Sequence, residues 1–148
     1  MDKRYRVFSF LLMKKYLGDA DAEGLLDEAR AACGNSYSPY SHFAVGAAVL
    51  TKDGRIFTGT NVENASYGLT ICAERVAICN AVAQGQNDLA AIAVYTARGG
   101  AAPCGACRQF IVEFGDDIVV VFETGEGIVQ QTIAELLPYA FTRNNLGR

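Results

Sequence analysis

Three cysteines and one glutamate restrict the fold of this chain more than any other feature. Cys72-Ala73-Glu74 stands in one segment and Pro103-Cys104-Gly105-Ala106-Cys107 in another. Three thiolates can hold a zinc ion and leave its fourth position open for water. A carboxylate two residues from one ligand can move protons to and from that water. Cys72 and Cys104 each stand where a helical pattern begins. If the two helix starts converge, their backbone N–H groups and dipoles point at one place. Each helix end carries roughly +0.5 charge, which favours thiolate over thiol. Cys72, Cys104 and Cys107 are therefore candidate metal ligands, and Glu74 is a candidate catalytic group.

Zinc with three thiolates carries a net negative charge, which weakens its pull on a proton of bound water. Arg75, beside Glu74, can return positive charge to the sulfurs, because a guanidinium stays charged and can donate twice. Arg108 is a second candidate with a mainly structural expectation. Two other uses of the cysteines compete. A closed structural site needs a fourth Cys or His, and His42 is the single histidine, in the loop before the first strand. A satisfied or exposed His42 is the expectation. A thioredoxin-like use of Cys104 and Cys107 leaves Cys72 and Glu74 without a role. The chain has five cysteines, and an odd number without a clear secretory signal argues against a disulfide framework and for a reducing compartment. Cys33 and Cys79 are expected to be small buried apolar side chains.

Residues 22–33 place Leu25, Leu26, Ala29 and Cys33 at helical spacing, with Gly34 as the stop. Two β-rich runs, 43–51 and 55–60, flank Asp53-Gly54, a hairpin signal. Residues 61–70 are polar and turn-rich, a usual place for binding groups. A helix from Cys72 to about Gln84, a buried strand at 89–95, a helix at 104–114 and an apolar strand at 118–122 follow. A last strand at 127–131 and a helical turn at 133–137 close the pattern. The order predicts a three-layer α/β/α sandwich around a mixed five-stranded sheet.

The 148 residues suit one core. Net charge is −3 and no basic stripe appears beyond the first fifteen residues, so a small molecule is favoured over nucleic acid as partner. Lys3, Arg4 and Arg6 precede an apolar run at 7–13 that stops at Lys14-Lys15. The run is too short to span a bilayer, and a loosely held tail or a start at Met13 is expected over a signal peptide. Residues 1–21 are read as an N-terminal extension of unknown role and 22–148 as the functional domain.

Four segments in order resemble the small, homotetrameric, three-cysteine zinc class of cytidine deaminase: YSPYSHFAVGAAVLTKDGRIFTGTNVENASYG, TICAERVAI, APCGACRQF and ELLPYAF. They cover about residues 37–141. The resemblance implies a cytidine deaminase-like fold and hydrolysis of cytidine and deoxycytidine to uridine and deoxyuridine, with loss of ammonia, in cytoplasmic pyrimidine salvage. It implies one Zn2+ per subunit on Cys72, Cys104 and Cys107, Glu74 as proton shuttle, and Arg75 as the neutraliser of thiolate charge. Asn61 and Glu63 match residues that bond the ribose 3′-hydroxyl. Ala73 matches a backbone contact to the pyrimidine, and Phe43 an aromatic packed on the base. Phe141 matches an aromatic lent by a neighbouring subunit, and Tyr67 a tyrosine at the subunit boundary of a homotetramer with shared active sites. A blasticidin-type or other small-molecule aminohydrolase of the same superfamily is the alternative. Thr60, Tyr139 and the first twenty residues depart from the family pattern.

Overall fold

Alternation along the strands decides the layers. A computed structural model describes residues 15–147 of the chain. In β1 (Gly46–Thr51) and β3 (Leu89–Tyr95), Ala47, Val49 and Ile92 pack to one side, and Ala48, Leu50, Ala91 and Ala93 to the other. β4 (Val119–Thr124) divides the same way, with Val120 and Phe122 opposite Val119 and Val121. Strands buried on both faces read as continuous apolar runs rather than alternating ones. Helix α1 (Asp19–Cys33) covers one face through Ala22, Leu25, Leu26 and Ala29. The other face takes α2 (Ala73–Ala83), α3 (Gly105–Val112) and α4 (Ile133–Leu136). The three-layer sandwich and its five-stranded mixed sheet are therefore as expected.

With β2 (Ile56–Thr60) and β5 (Gly127–Thr132) at the edges, the sheet order is β2-β1-β3-β4-β5. Only β3 and β4 pair in parallel; the other pairs are antiparallel. β1 is antiparallel to both of its neighbours, so β2 and β3 run in the same direction. The helices that follow them, α2 and α3, consequently begin at the same end of the sheet. This is the end at which α/β sheets hold ligands.

Close backbone contact fixes α2 there. A Cβ at Gly59 on β2 would collide with Ala77 N and stand 2.8 Å from Ala73 O. Only a glycine lets the first two turns of α2 lie on β2. The Asp53-Gly54 turn forms the expected hairpin, with Gly54 at φ 89° and Leu50 opposite Ile56.

Several ends differ from the pattern. α1 starts at Asp19, three residues before the apolar spacing begins, with Asp19 and Asp21 in its first turn where the dipole favours acids. β1 starts at Gly46 rather than 43, because Val45 N–H donates to the Asn61 side chain instead of to a neighbouring strand. Cys79 lies exposed on α2, against expectation, whereas Cys33 is buried. Before α1, Leu17 is buried against the α1 face. Its N–H donates to Gln130 Oε1 at 3.0 Å, and its carbonyl accepts from Gln130 Nε2 at 3.1 Å. The apolar run at 7–13 and the proposed start at Met13 lie outside the described residues. Among those residues, no helix is long and apolar enough to cross a membrane.

Candidate metal centre and pocket

Cys72 and Cys104 are the N-cap residues of α2 and α3, both in extended conformation. Cys107 follows one turn into α3 and is buried. The three Sγ atoms lie within 4.8 Å of one another, an arrangement able to hold a metal ion. His42 is exposed and is not part of this group. Soft thiolate donors of this kind select zinc among the common ions. Helix α3 has eight residues and α2 eleven, so both bring a full set of unpaired N–H groups to the cluster.

The electrostatics calls for a cation. Hydrogen bonding to Cys107 and Arg75 draws the Cys72 thiol down to about 5. The ionised Cys72 and burial then push Cys107 up. One thiolate thus suppresses ionisation of the next, and three together need positive charge between them. Arg75 Nη2 donates to Cys72 Sγ at 3.5 Å. Its Nε is buried and, among the described residues, has no hydrogen-bond partner. Arg108 is placed otherwise: Nε donates to Pro103 O at 2.8 Å and Nη1 to Leu136 O at 2.9 Å. It ties the start of α3 to the end of α4.

Glu74 sits in the first turn of α2 and is only 4% exposed. Burial raises its carboxyl above the ordinary carboxylate range, and the Cys72 charge adds to the effect. A buried carboxyl beside a metal cluster is suited to taking up and releasing a proton.

Beside the cysteines lies a cavity of 330 Å³. Cys72, Ala73, Glu74 and Cys104 form one wall, and Phe43, Asn61 and Glu63 line it too. Ala73 is fully buried at the helix start. Asn61 is largely occupied by backbone: Nδ2 donates to Phe43 O at 2.7 Å, and Oδ1 accepts from Val45 N at 3.0 Å and from the Ser36 hydroxyl. One amide hydrogen remains. Glu63 Oε1 accepts from Tyr40 N at 2.9 Å and Ser41 N at 3.1 Å. The Ser41 side chain and these two N–H groups hold its carboxyl below the usual range. Sequence reasoning did not single out Ser41, Val94, Ala101 and Ala102, which also line the cavity. They come from three separate stretches of chain; Ser41 and Ala102 lie within the matching segments, but their small side chains gave no chemical signal.

Tyr67 and Phe141 do not line the cavity. Tyr67 is 77% exposed and meets Tyr40 edge-on at 5.9 Å. Phe141 is 60% exposed, and its carbonyl accepts from Gln109 Nε2 at 2.8 Å. Tyr139 is fully exposed, with φ 55°.

Comparison with known proteins finds cytidine deaminases repeatedly, and a blasticidin-S deaminase of Bacillus cereus, 37% identical over 68% of this chain and 78% of that protein, is also among the relatives. Residues 19–123 match the family model described as the cytidine and deoxycytidylate deaminase zinc-binding region. A cytidine deaminase of Halalkalibacterium halodurans is 46% identical over 129 residues, covering 85% of this chain and 98% of that protein. One of Sporosarcina psychrophila is 44% identical, with 85% and 95% covered. Among solved structures, cytidine deaminase from Burkholderia pseudomallei superposes with a TM-score of 0.76 at 47% identity. The match covers 80% of this chain and 98% of that one.

Proposed function

The chain belongs to the cytidine deaminase family, in its three-cysteine zinc class, and on that premise we propose that it hydrolyses cytidine and deoxycytidine to uridine and deoxyuridine with release of ammonia. The observation that carries this reading is one cavity shared by Cys72 and Cys104 of the thiolate cluster, the buried Glu74 carboxyl and a wall formed by Phe43, Asn61 and Glu63.

Cys72, Cys104 and Cys107 would hold the zinc, which when bound supplies an electrophilic centre that acidifies water. The chain's own residues do the rest. Glu74 takes a proton from the attacking water and delivers it to N3 of the pyrimidine, which makes C4 electrophilic. Oxygen then bonds to C4. Glu74 passes a second proton to the exocyclic nitrogen, the C4–N bond breaks, and ammonia leaves. Phe43 packs on the base, and the backbone of Ala73 faces the ring. Glu63 accepts from a sugar hydroxyl through its second oxygen, a charge-assisted bond and so a strong one. The free Asn61 hydrogen donates to the same hydroxyl. Arg75 offsets the sulfur charge.

We further propose a homotetramer in which Tyr67 lies at a subunit boundary and Phe141 completes a neighbour's pocket. The exposure of both side chains supports this. Five free cysteines suit a reducing compartment and a place in cytoplasmic pyrimidine salvage. The test is a zinc assay on the purified protein together with cytidine turnover followed by ultraviolet absorbance. About one zinc per chain and turnover of cytidine but not blasticidin S is the expected result. Turnover of blasticidin S alone would overturn the substrate assignment.

A further inference from the structure

The backbone on both sides of Phe43 is held by the loop that leads from β3 to Cys104. The carbonyls flanking it are both engaged. Thr96 Oγ1, on a residue 2% exposed, donates to Ala44 O at 2.9 Å. Arg98 Nη2 donates to His42 O at 3.1 Å. The carbonyl of Phe43 itself accepts from Asn61. The Arg98 guanidinium also stands over the Phe43 ring, 6.0 Å from its centroid, within the range in which a cation is attracted to a ring face. His42 needs such restraint, because its φ of 55° is left-handed and uncommon for a residue with a Cβ. Arg98 is exposed, and among the described residues no acid lies within ion-pair distance of it. Among those residues its charge is therefore not committed to an acid.

We infer that Arg98 is a positioning residue for substrate: it fixes the Phe43 ring at the angle that forms the pocket wall. The inference rests on the proposed role of Phe43 against the base. Arg98 touches neither the cysteines nor Glu74 in any hydrogen bond among the described residues, so its influence falls on binding rather than on the chemical step. A loose Phe43 ring would have to be ordered by each incoming substrate, and that ordering cost appears in KM.

The experiment is a kinetic cycle on the zinc-loaded protein with Arg98→Ala, Arg98→Lys, Phe43→Leu and the double variant Arg98→Ala/Phe43→Leu. Arg98→Ala should raise KM for cytidine about 3- to 10-fold, with kcat within about twofold. Arg98→Lys, which keeps a cation near the ring, should recover part of the loss. On the Phe43→Leu background, Arg98→Ala should add nothing, because there is no ring left to orient. A merely structural staple would lower melting temperature and leave KM unmoved, which would overturn the inference. So would an equal KM effect of Arg98→Ala with and without the Phe43 ring. If Phe43→Leu alone left KM unchanged, the reading of Phe43 as the base-packing residue would fail and the inference with it.

Discussion

Glu74 and its neighbours show how little of a residue's role lies in its type. In an exposed first turn a glutamate simply stabilises the helix dipole. Here it is 4% exposed and shares a cavity with two of the three cysteines. Glu74→Gln keeps shape and volume but cannot carry the proton. Turnover should fall by about 10²- to 10⁴-fold while zinc content, read by metal analysis, stays at the wild-type level. Activity near wild type would remove Glu74 from the proton path. Cys104 with Cys107, and Cys72 with Glu74 and Arg75, were legible as two short clusters because each lies within a few residues, although 32 positions separate Cys72 from Cys104. Asn61 was legible only in part. Its side chain spends most of its bonding capacity on Phe43 and Val45, partners eighteen and sixteen positions away that no local pattern reveals. Arg98, whose partner His42 is 56 positions distant, was not legible at all.

At the scale of elements, sequence periodicity located the five strands and four α-helices of the described residues but not the 3-10 helices Tyr67–Leu69 and Arg143–Leu146, and the start of β1 moved where a side chain replaced a ladder bond. The contact of α2 on β2 was invisible in the sequence, since Gly59 reads as an ordinary strand glycine. Gly59→Ala should force α2 away from β2, with a loss of about 1–3 kcal/mol typical of overpacking. Because Cys72 caps that helix, zinc affinity should fall with it. Denaturant unfolding and a chelator competition measure the two, and a stable variant with unchanged zinc affinity would show the contact to be slack. The segment before α1 offers a pH test. Glu135 is bonded by Lys15, by Thr132 N–H and by the Tyr16 hydroxyl, which hold its carboxyl at about 2 against an ordinary 4.5. A lowered carboxylate pKa means the contact is fully present above 4.5 and is lost as pH falls toward 2. Exchange of the Leu17 amide, normalised to Glu135→Gln, should accelerate over that window. Equal profiles for the two proteins would show that Glu135 does not govern this contact.

At the scale of the whole molecule, the described residues expose several large apolar side chains around the pocket. Tyr37, Tyr40, Val62, Tyr67, Leu69 and Ile71 are between 40% and 77% exposed. Tyr37 and Val62 form a bridge, as do Val62 and Ile71, so these residues belong to one stretch of surface beside Glu63 and Cys72. Contiguous apolar surface of this kind marks an interaction site, and burial against another copy would also close the pocket to water. Assembly and catalysis should therefore fail together. Tyr67→Asp places a charge in the proposed boundary without touching the cysteines or Glu74, and burying an unpaired carboxylate there is costly. The variant should elute at a lower mass than the unaltered protein in size-exclusion chromatography with light scattering. It should retain zinc, because the cysteine cluster is built within one chain, yet show a raised KM for cytidine. The unaltered protein should lose specific activity on dilution once it dissociates, and the loss should reverse on concentration. A Tyr67→Asp protein of unchanged mass and unchanged KM would place the subunit boundary elsewhere. A protein of reduced mass with unchanged KM would show that each pocket is complete within its own chain, and the proposed contribution of Phe141 from a neighbour would fall.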